Sequence, residues 1–208
     1  MPNKSKILFV DFNGVLSYKH FWFSLAESHP RTKSKIEDYL FNQNPQLVKD
    51  WMNGAYTSEQ IVHQLCEDRG IDYDNIWQVF VQDCKDIDVS KPILNKLNQM
   101  KDEFYLVHST GNMDSFNRWT LPANPLMSEV FDRIDNSYDF GYQKNHNEGK
   151  YFKDTIALLG FNPDQAYVID DSTKVCQVFA DLGGTALCVT GEAQVLDALD
   201  TLRIDNSL

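Results

Sequence analysis

The run Ile7-Leu8-Phe9-Val10 ends abruptly in a carboxylate, Asp11, with Gly14 three positions further on. No other stretch limits the possible folds as strongly. A short continuous apolar run reads as a strand buried on both faces, which is the habit of parallel sheets. The acid then falls just past the strand's C-terminal end, where open α/β sheets bind their ligands. Ala166-Tyr167-Val168-Ile169 repeats the pattern and ends in Asp170-Asp171. Two such strands, far apart in sequence, predict one acidic cluster at one sheet edge, and such a cluster calls for a divalent cation.

Between these runs the hydrophobic period is mostly helical for about eighty residues. Ile61, Val62, Leu65 and Cys66 share one helical face, with Thr57 and Gln60 spaced as a capping box and Gly70 as a C-terminal stop. Ile76, Trp77, Phe80 and Val81 repeat the spacing, and Ser90-Lys91-Pro92 opens a helix carrying Ile93, Leu94 and Leu97. The β pattern resumes at Phe104–His108 and runs into Ser109-Thr110-Gly111-Asn112. A helix is expected from about residue 147, with Phe152, Ile156 and Leu159 on one face. Beyond Asp171 come a helix bearing Val175, Cys176 and Phe179, a strand over Thr185–Val189, and a final helix with Val195, Leu199 and Leu202. The alternation predicts an α/β fold: a Rossmann-like parallel sheet flanked by helices. Residues 17–100 interrupt it and read as an inserted helical cap, leaving 1–16 and 101–208 as the Rossmann-like core.

A chain of 208 residues, 42% of them hydrophobic, suffices for one such domain with a modest insertion and argues against disorder. A net charge of -11 argues against sequence-independent nucleic-acid binding, which needs basic surface. An anionic substrate would have to be attracted locally, by a metal or a few lysines. No stretch approaches the roughly 18 apolar residues of a membrane span, and Met1–Lys6 lacks the apolar segment of a secretory signal. Cys66, Cys84, Cys176 and Cys188 are widely spaced and read as reduced core thiols, as expected of a cytoplasmic protein. Oligomeric state has no signature here.

Four features fall at strand ends or just beyond them: Asp11, Ser109, Lys144 and Asp170-Asp171. In order and context they resemble the motifs of the haloacid dehalogenase-like hydrolases, in particular the phosphatase branch with a small helical cap. Asp11-Phe12-Asn13-Gly14-Val15 is similar to the first motif, Val107-His108-Ser109-Thr110-Gly111-Asn112 to the second, Gly141-Tyr142-Gln143-Lys144 to the third and Val168-Ile169-Asp170-Asp171-Ser172 to the fourth. The resemblance spans nearly the whole chain. It implies that Asp11 is a nucleophile forming an aspartyl-phosphate, a role open to carboxylates. It implies that Ser109, Thr110 and Gly111 hold phosphoryl oxygens, with Lys144 neutralising charge on nucleophile and phosphate. Mg²⁺ would be bound by Asp11, Asp170, Asp171 and the backbone carbonyl of Asn13, and the substrate would be a small phosphorylated metabolite. Blander readings exist for each residue alone. Asp11 can cap a loop, Ser-Thr-Gly-Asn can be an ordinary turn, Lys144 can be solvated, and Asp171 or Ser172 can cap the next helix. Asn145 stands where the family commonly has proline, so Lys150 is a weaker candidate for the lysine.

The chain departs from the family at Asn13, where phosphatases carry a second aspartate as general acid and base. An amide cannot exchange a proton near neutral pH, and acid-base help is typically worth about 10²–10⁴-fold. Three readings follow: a slow phosphatase, helped by another acid such as His20 or confined to good leaving groups; a metal- and phosphate-binding protein with little turnover; or a dehalogenase working without metal. The acidic pair weighs against the last. Tyr18, Phe21, Trp22, Phe23, Trp51 and Tyr56 either line a pocket under the cap or form the cap's own core, the commoner fate of such side chains.

Overall fold

The computed structural model describes residues 4–204, so the reading of Met1–Asn3 lies outside the described residues. Five strands, β1 (Lys6–Val10), β2 (Phe104–Thr110), β3 (Arg133–Asn136), β4 (Ala166–Asp170) and β5 (Thr185–Cys188), form one parallel sheet in the order β3-β2-β1-β4-β5. The expected Rossmann-like α/β sheet is present. Chain direction across the sheet reverses beside β1, between β2 and β4, which is the switch point where ligands bind in such sheets.

Each central strand is buried on both faces. Leu8, Val10, Leu106 and Ile169 enter one apolar cluster, whereas Ile7, Phe9, Val107 and Val168 enter another on the opposite face. The second face is covered by the helices Lys150–Leu158 and Thr173–Asp181 through Phe152, Ile156, Val175 and Phe179. β3 was not legible beforehand: four residues, mostly half-buried at the sheet edge, leave no hydrophobic period to read.

Between residues 17 and 100 the regular structure is helical, but the helices do not form one layer. Helices Pro30–Glu37, Pro45–Met52, Ser58–Arg69 and Tyr73–Lys85 enclose a separate core around Trp22, Trp51, Leu65 and Phe80. Thr57 and Gln60 form the expected capping box, and Gly70 ends that helix in the left-handed conformation at φ 61°. Lys91–Asn98 behaves differently. Its Ile93, Leu94 and Leu97 are buried with Leu8 and Val10, and Lys96 pairs with Asp200 of the last helix at 2.6 Å. This helix therefore covers the first face of the sheet.

Two smaller corrections follow from local chemistry. The helix expected from 147 begins at Lys150, because Asn147, Glu148 and Gly149 all have positive φ and cannot join a right-handed helix. All four cysteines are free, but Cys188 is exposed at the end of edge strand β5 and is not a core residue. Among the described residues no helix is long and apolar enough to cross a membrane.

Candidate active site

Strand register builds the site. Val10 is level with His108 on β2 and Ile169 on β4, so Asp11, Ser109 and Asp170 leave three adjacent strands in one row. The Asp11 N–H donates to the Ile169 carbonyl at 3.0 Å, carrying the ladder one step past β1. Lys144 reaches this row from the loop after the short helix Ser137–Phe140, which Gly141 ends at φ 85°. Its ammonium lies 2.7 Å from Asp11 Oδ1 and 2.6 Å from Asp170 Oδ2, and donates to the Ser109 carbonyl at 3.1 Å. Lys150, the weaker candidate, is exposed and pairs with Asp154 one turn along its own helix.

Asp171 completes the cluster. Asp11, Asp170 and Asp171 each offer a carboxylate oxygen, and these oxygens lie within 4.8 Å of one another. Space for Asp171 comes from Gly14, which sits at φ 73° in the turn after β1; a Cβ there would overlap the Asp171 carboxylate. Burial pushes the Asp11 carboxyl up to about 7, with Lys144 opposing and Asp170 adding repulsion. Burial also raises Asp171, again with repulsion from Asp170. Burial alone would lower the Lys144 ammonium, but Asp11 and Asp170 outweigh it and hold it above its ordinary value.

This donor set suits a divalent cation. Three carboxylates against one buried ammonium leave an excess of negative charge, and burial, with a smaller repulsion from Asp170, disfavours the ionised forms of Asp11 and Asp171. Hard oxygen donors with room for water or phosphate oxygens are what Mg²⁺ takes. A cavity of about 210 Å³ opens over the cluster, lined by Asp11, Asn13, Gly111, Gln143, Lys144 and Asp170.

Ser109 and Thr110 lie within β2 rather than in a loop after it, and both hydroxyls are buried without a hydrogen-bond partner. A buried orphan hydroxyl typically costs about 1–3 kcal/mol. Gly111 lines the cavity, and a Cβ on it would stand 2.7 Å from Gln143 Oε1. Asn13 is half-buried at the cavity wall and supplies no acid. His20 is exposed and lines a second, larger cavity that also includes Asn13. Phe21 and Trp22 belong both to the core of the helical layer and to that cavity's wall; Trp51 is core, and Tyr18 and Tyr56 are exposed.

Two residues escaped the sequence reading. Asn136, buried at the end of β3, accepts from the Asn112 N–H at 3.1 Å and donates to the Met113 carbonyl at 2.9 Å, fixing the segment after Gly111. Its Oδ1 also caps the helix Ser137–Phe140, and Asn followed by Ser was the available signal. Asp114 is buried and accepts from the backbone N–H and hydroxyl of Ser58, tying the segment after β2 to the helical layer. Nothing in the sequence pointed to it.

No protein-family model and no curated protein matches the chain. Solved structures do. A HAD family enzyme from Bacteroides thetaiotaomicron, in complex with magnesium and inorganic phosphate, has a TM-score of 0.68 at 19% identity, covering 90% of this chain and 96% of its own. A predicted HAD-like family hydrolase from Porphyromonas gingivalis has a TM-score of 0.74 at 20% identity, covering 95% and 98%. An L-2-haloacid dehalogenase has a TM-score of 0.62 at 14% identity, covering 91% and 86%. The register, the strand order and these likenesses agree: the chain has the fold of the haloacid dehalogenase-like enzymes.

Proposed function

We propose that the protein is a Mg²⁺-dependent hydrolase of small phosphorylated molecules, cytoplasmic, with the helices of 17–90 acting as a cap over the cavity. One observation carries the reading: a buried lysine bridges Asp11 and Asp170 at 2.7 and 2.6 Å, with Asp171 beside them. The likeness to an enzyme crystallised with magnesium and phosphate supports it.

Asp11, Asp170 and Asp171, with the Asn13 carbonyl, would hold Mg²⁺, which supplies charge neutralisation for carboxylates and phosphoryl oxygens. Asp11 attacks phosphorus; the Asp11 O–P bond forms as the ester P–O bond breaks, and the electron pair leaves on the departing oxygen. Lys144 holds the nucleophile in line and balances charge on the phosphoryl group. The Ser109 hydroxyl and the backbone N–H groups of Thr110 and Gly111 receive the remaining phosphoryl oxygens. Water then attacks phosphorus, releasing phosphate and restoring Asp11.

Asn13 leaves both steps without a proton shuttle. Turnover is therefore slow, and the aspartyl-phosphate is long-lived. A binding protein with little turnover is the second reading, and Asn13 is the observation that favours it. The test is phosphate release from esters of graded leaving-group pKa, beside Asn13→Asp. Asn13→Asp should raise kcat/KM by about 10²-fold or more for poor leaving groups and far less for good ones, and should raise kcat for all of them by speeding hydrolysis of the shared intermediate. Equal rates for both proteins would end the role given to this position. Phosphate release that survives chelation would end the role given to the metal, and halide release from a 2-haloacid under chelation would favour a metal-free dehalogenase.

A further inference from the structure

The polar cavity over Asp11 does not stand alone. A larger cavity, of about 330 Å³, lies under the helical layer and shares Asn13, Met52 and Gly111 with it. Its volume sits at the lower end of the range for small-molecule sites, about 300–1,000 Å³. The wall is mostly apolar, built from Trp22, Ile36, Val48, Met113 and Ile87. Trp22 is held there at φ 59°, a conformation rare for a bulky aromatic and typical of residues fixed at ligand sites. Its indole N–H is already used by the Ile76 carbonyl at 3.3 Å, so the ring presents carbon to the cavity.

Several polar groups on that wall are engaged elsewhere, while His20, Asn13 and the Asn112 side-chain amide NH₂ also line it. Thr120 donates to the Cys84 carbonyl at 2.8 Å, and Asn112 accepts from the Met113 N–H at 2.9 Å. Lys33 pairs with Glu37, and Lys19 with Asp88. A sugar or polyol would find partners for its hydroxyls only at the Asn13, His20 and Asn112 side of the cavity, and none along the aliphatic wall. An aromatic body would lose nothing, and would bury its faces against Trp22 and the aliphatic wall.

Asn13 stands where the two cavities meet, so it faces the oxygen that joins phosphate to body. Building on the hydrolase reading above, we infer that the substrate is a phosphate borne by a compact aromatic body through a weakly basic oxygen, either phenolic or carboxylic. Asp11 displaces that oxygen, which departs as phenolate or carboxylate with the bonding pair. It needs no proton from the protein, and Asn13 suffices where an aspartate is needed for alkyl esters. Water completes the cycle as before, its proton passing to solvent.

The test uses the full chain with Mg²⁺ and compares benzoyl phosphate with acetyl phosphate, whose leaving groups are of similar acidity. Phenylphosphonate and methylphosphonate, which cannot be hydrolysed at the C–P bond, give the same comparison by calorimetry. Benzoyl phosphate should show a KM roughly 30-fold lower than acetyl phosphate, and phenylphosphonate a similar advantage in Kd. Val48→Phe, which fills the cavity, should erase both advantages. Equal KM values together with equal phosphonate affinities would overturn the aromatic pocket while leaving the hydrolase reading intact. Tight phenylphosphonate binding without turnover of either substrate would do the reverse, upholding the pocket and ending the hydrolase reading.

Discussion

Asp114 accepts the indole N–H of Trp51 at 3.1 Å, and both side chains are buried. The bond joins the segment leaving β2 to the helix Pro45–Met52, whose Met52 borders both cavities. Ser58 adds its N–H at 3.1 Å and its hydroxyl, and Arg118 balances the charge at 2.8 Å. One carboxylate thus sets the height of the helical layer above the phosphate end of the sheet. Asp114→Ala leaves a buried indole N–H and a backbone N–H without acceptors, so stability should fall by about 3 kcal/mol in urea unfolding. KM should rise more than kcat falls, because the reacting groups on β1 and β4 keep their places.

Lys144 is the counter-charge for two buried carboxylates. Lys144→Met strands both, and metal-free protein should lose about 3–5 kcal/mol of stability. Added Mg²⁺ should restore part of that loss in thermal melts, since the cation replaces the missing positive charge. Activity should fall by about 10²–10³-fold even at saturating metal, because the phosphoryl group loses a positioned donor.

Gly14 is required by two separate constraints, a left-handed φ of 73° and the approach of Asp171. Gly14→Ala should cost about 1–2 kcal/mol through backbone strain alone. It should also displace Asp171 and weaken Mg²⁺ at least tenfold. A Mg²⁺ titration followed by melting temperature checks this: at a metal concentration 100-fold above its Kd the wild type gains about 2.7 kcal/mol, and the variant much less.

His108 is buried among Phe12, Phe116 and Phe131, with Nδ1 bonded to the Val10 carbonyl at 3.0 Å and Nε2 without a partner. Burial lowers its pKa to about 3, with Lys144 repelling the charged form. The unfolded chain takes up a proton near pH 6.5 and the folded one does not until about pH 3. Stability from the neutral ring is therefore complete above pH 6.5 and is lost as pH falls toward 3. The slope should exceed about 1 kcal/mol per pH unit within that window. Asp11, held up near 7, acts in the opposite sense, so the diagnostic quantity is wild type minus His108→Leu in metal-free urea melts. A difference that does not change with pH would refute the buried neutral ring.

How much of this was legible beforehand divides along a physical line. Short-range rules are written in short stretches of chain. Ile7–Val10 and Ala166–Ile169 announced buried parallel strands, Thr57 and Gln60 a helix start, and Gly70 its stop. Both runs end in acids, which is why one acidic cluster was expected; that β1 and β4 are parallel neighbours in register, bringing Asp11, Asp170 and Asp171 together, was decided by the sheet. Other features depend on which surfaces meet. β3 has four residues and no period; Lys91–Asn98 carries an apolar stripe that would serve either layer, and only packing assigned it to the sheet. Asp114 and Asn136 act through partners up to 63 residues away, and hydrogen bonds of that range leave no periodic trace. The apolar cavity beside Asn13 belongs to no segment at all. It is the space left when two separate cores close against each other, and it exists only once both have formed.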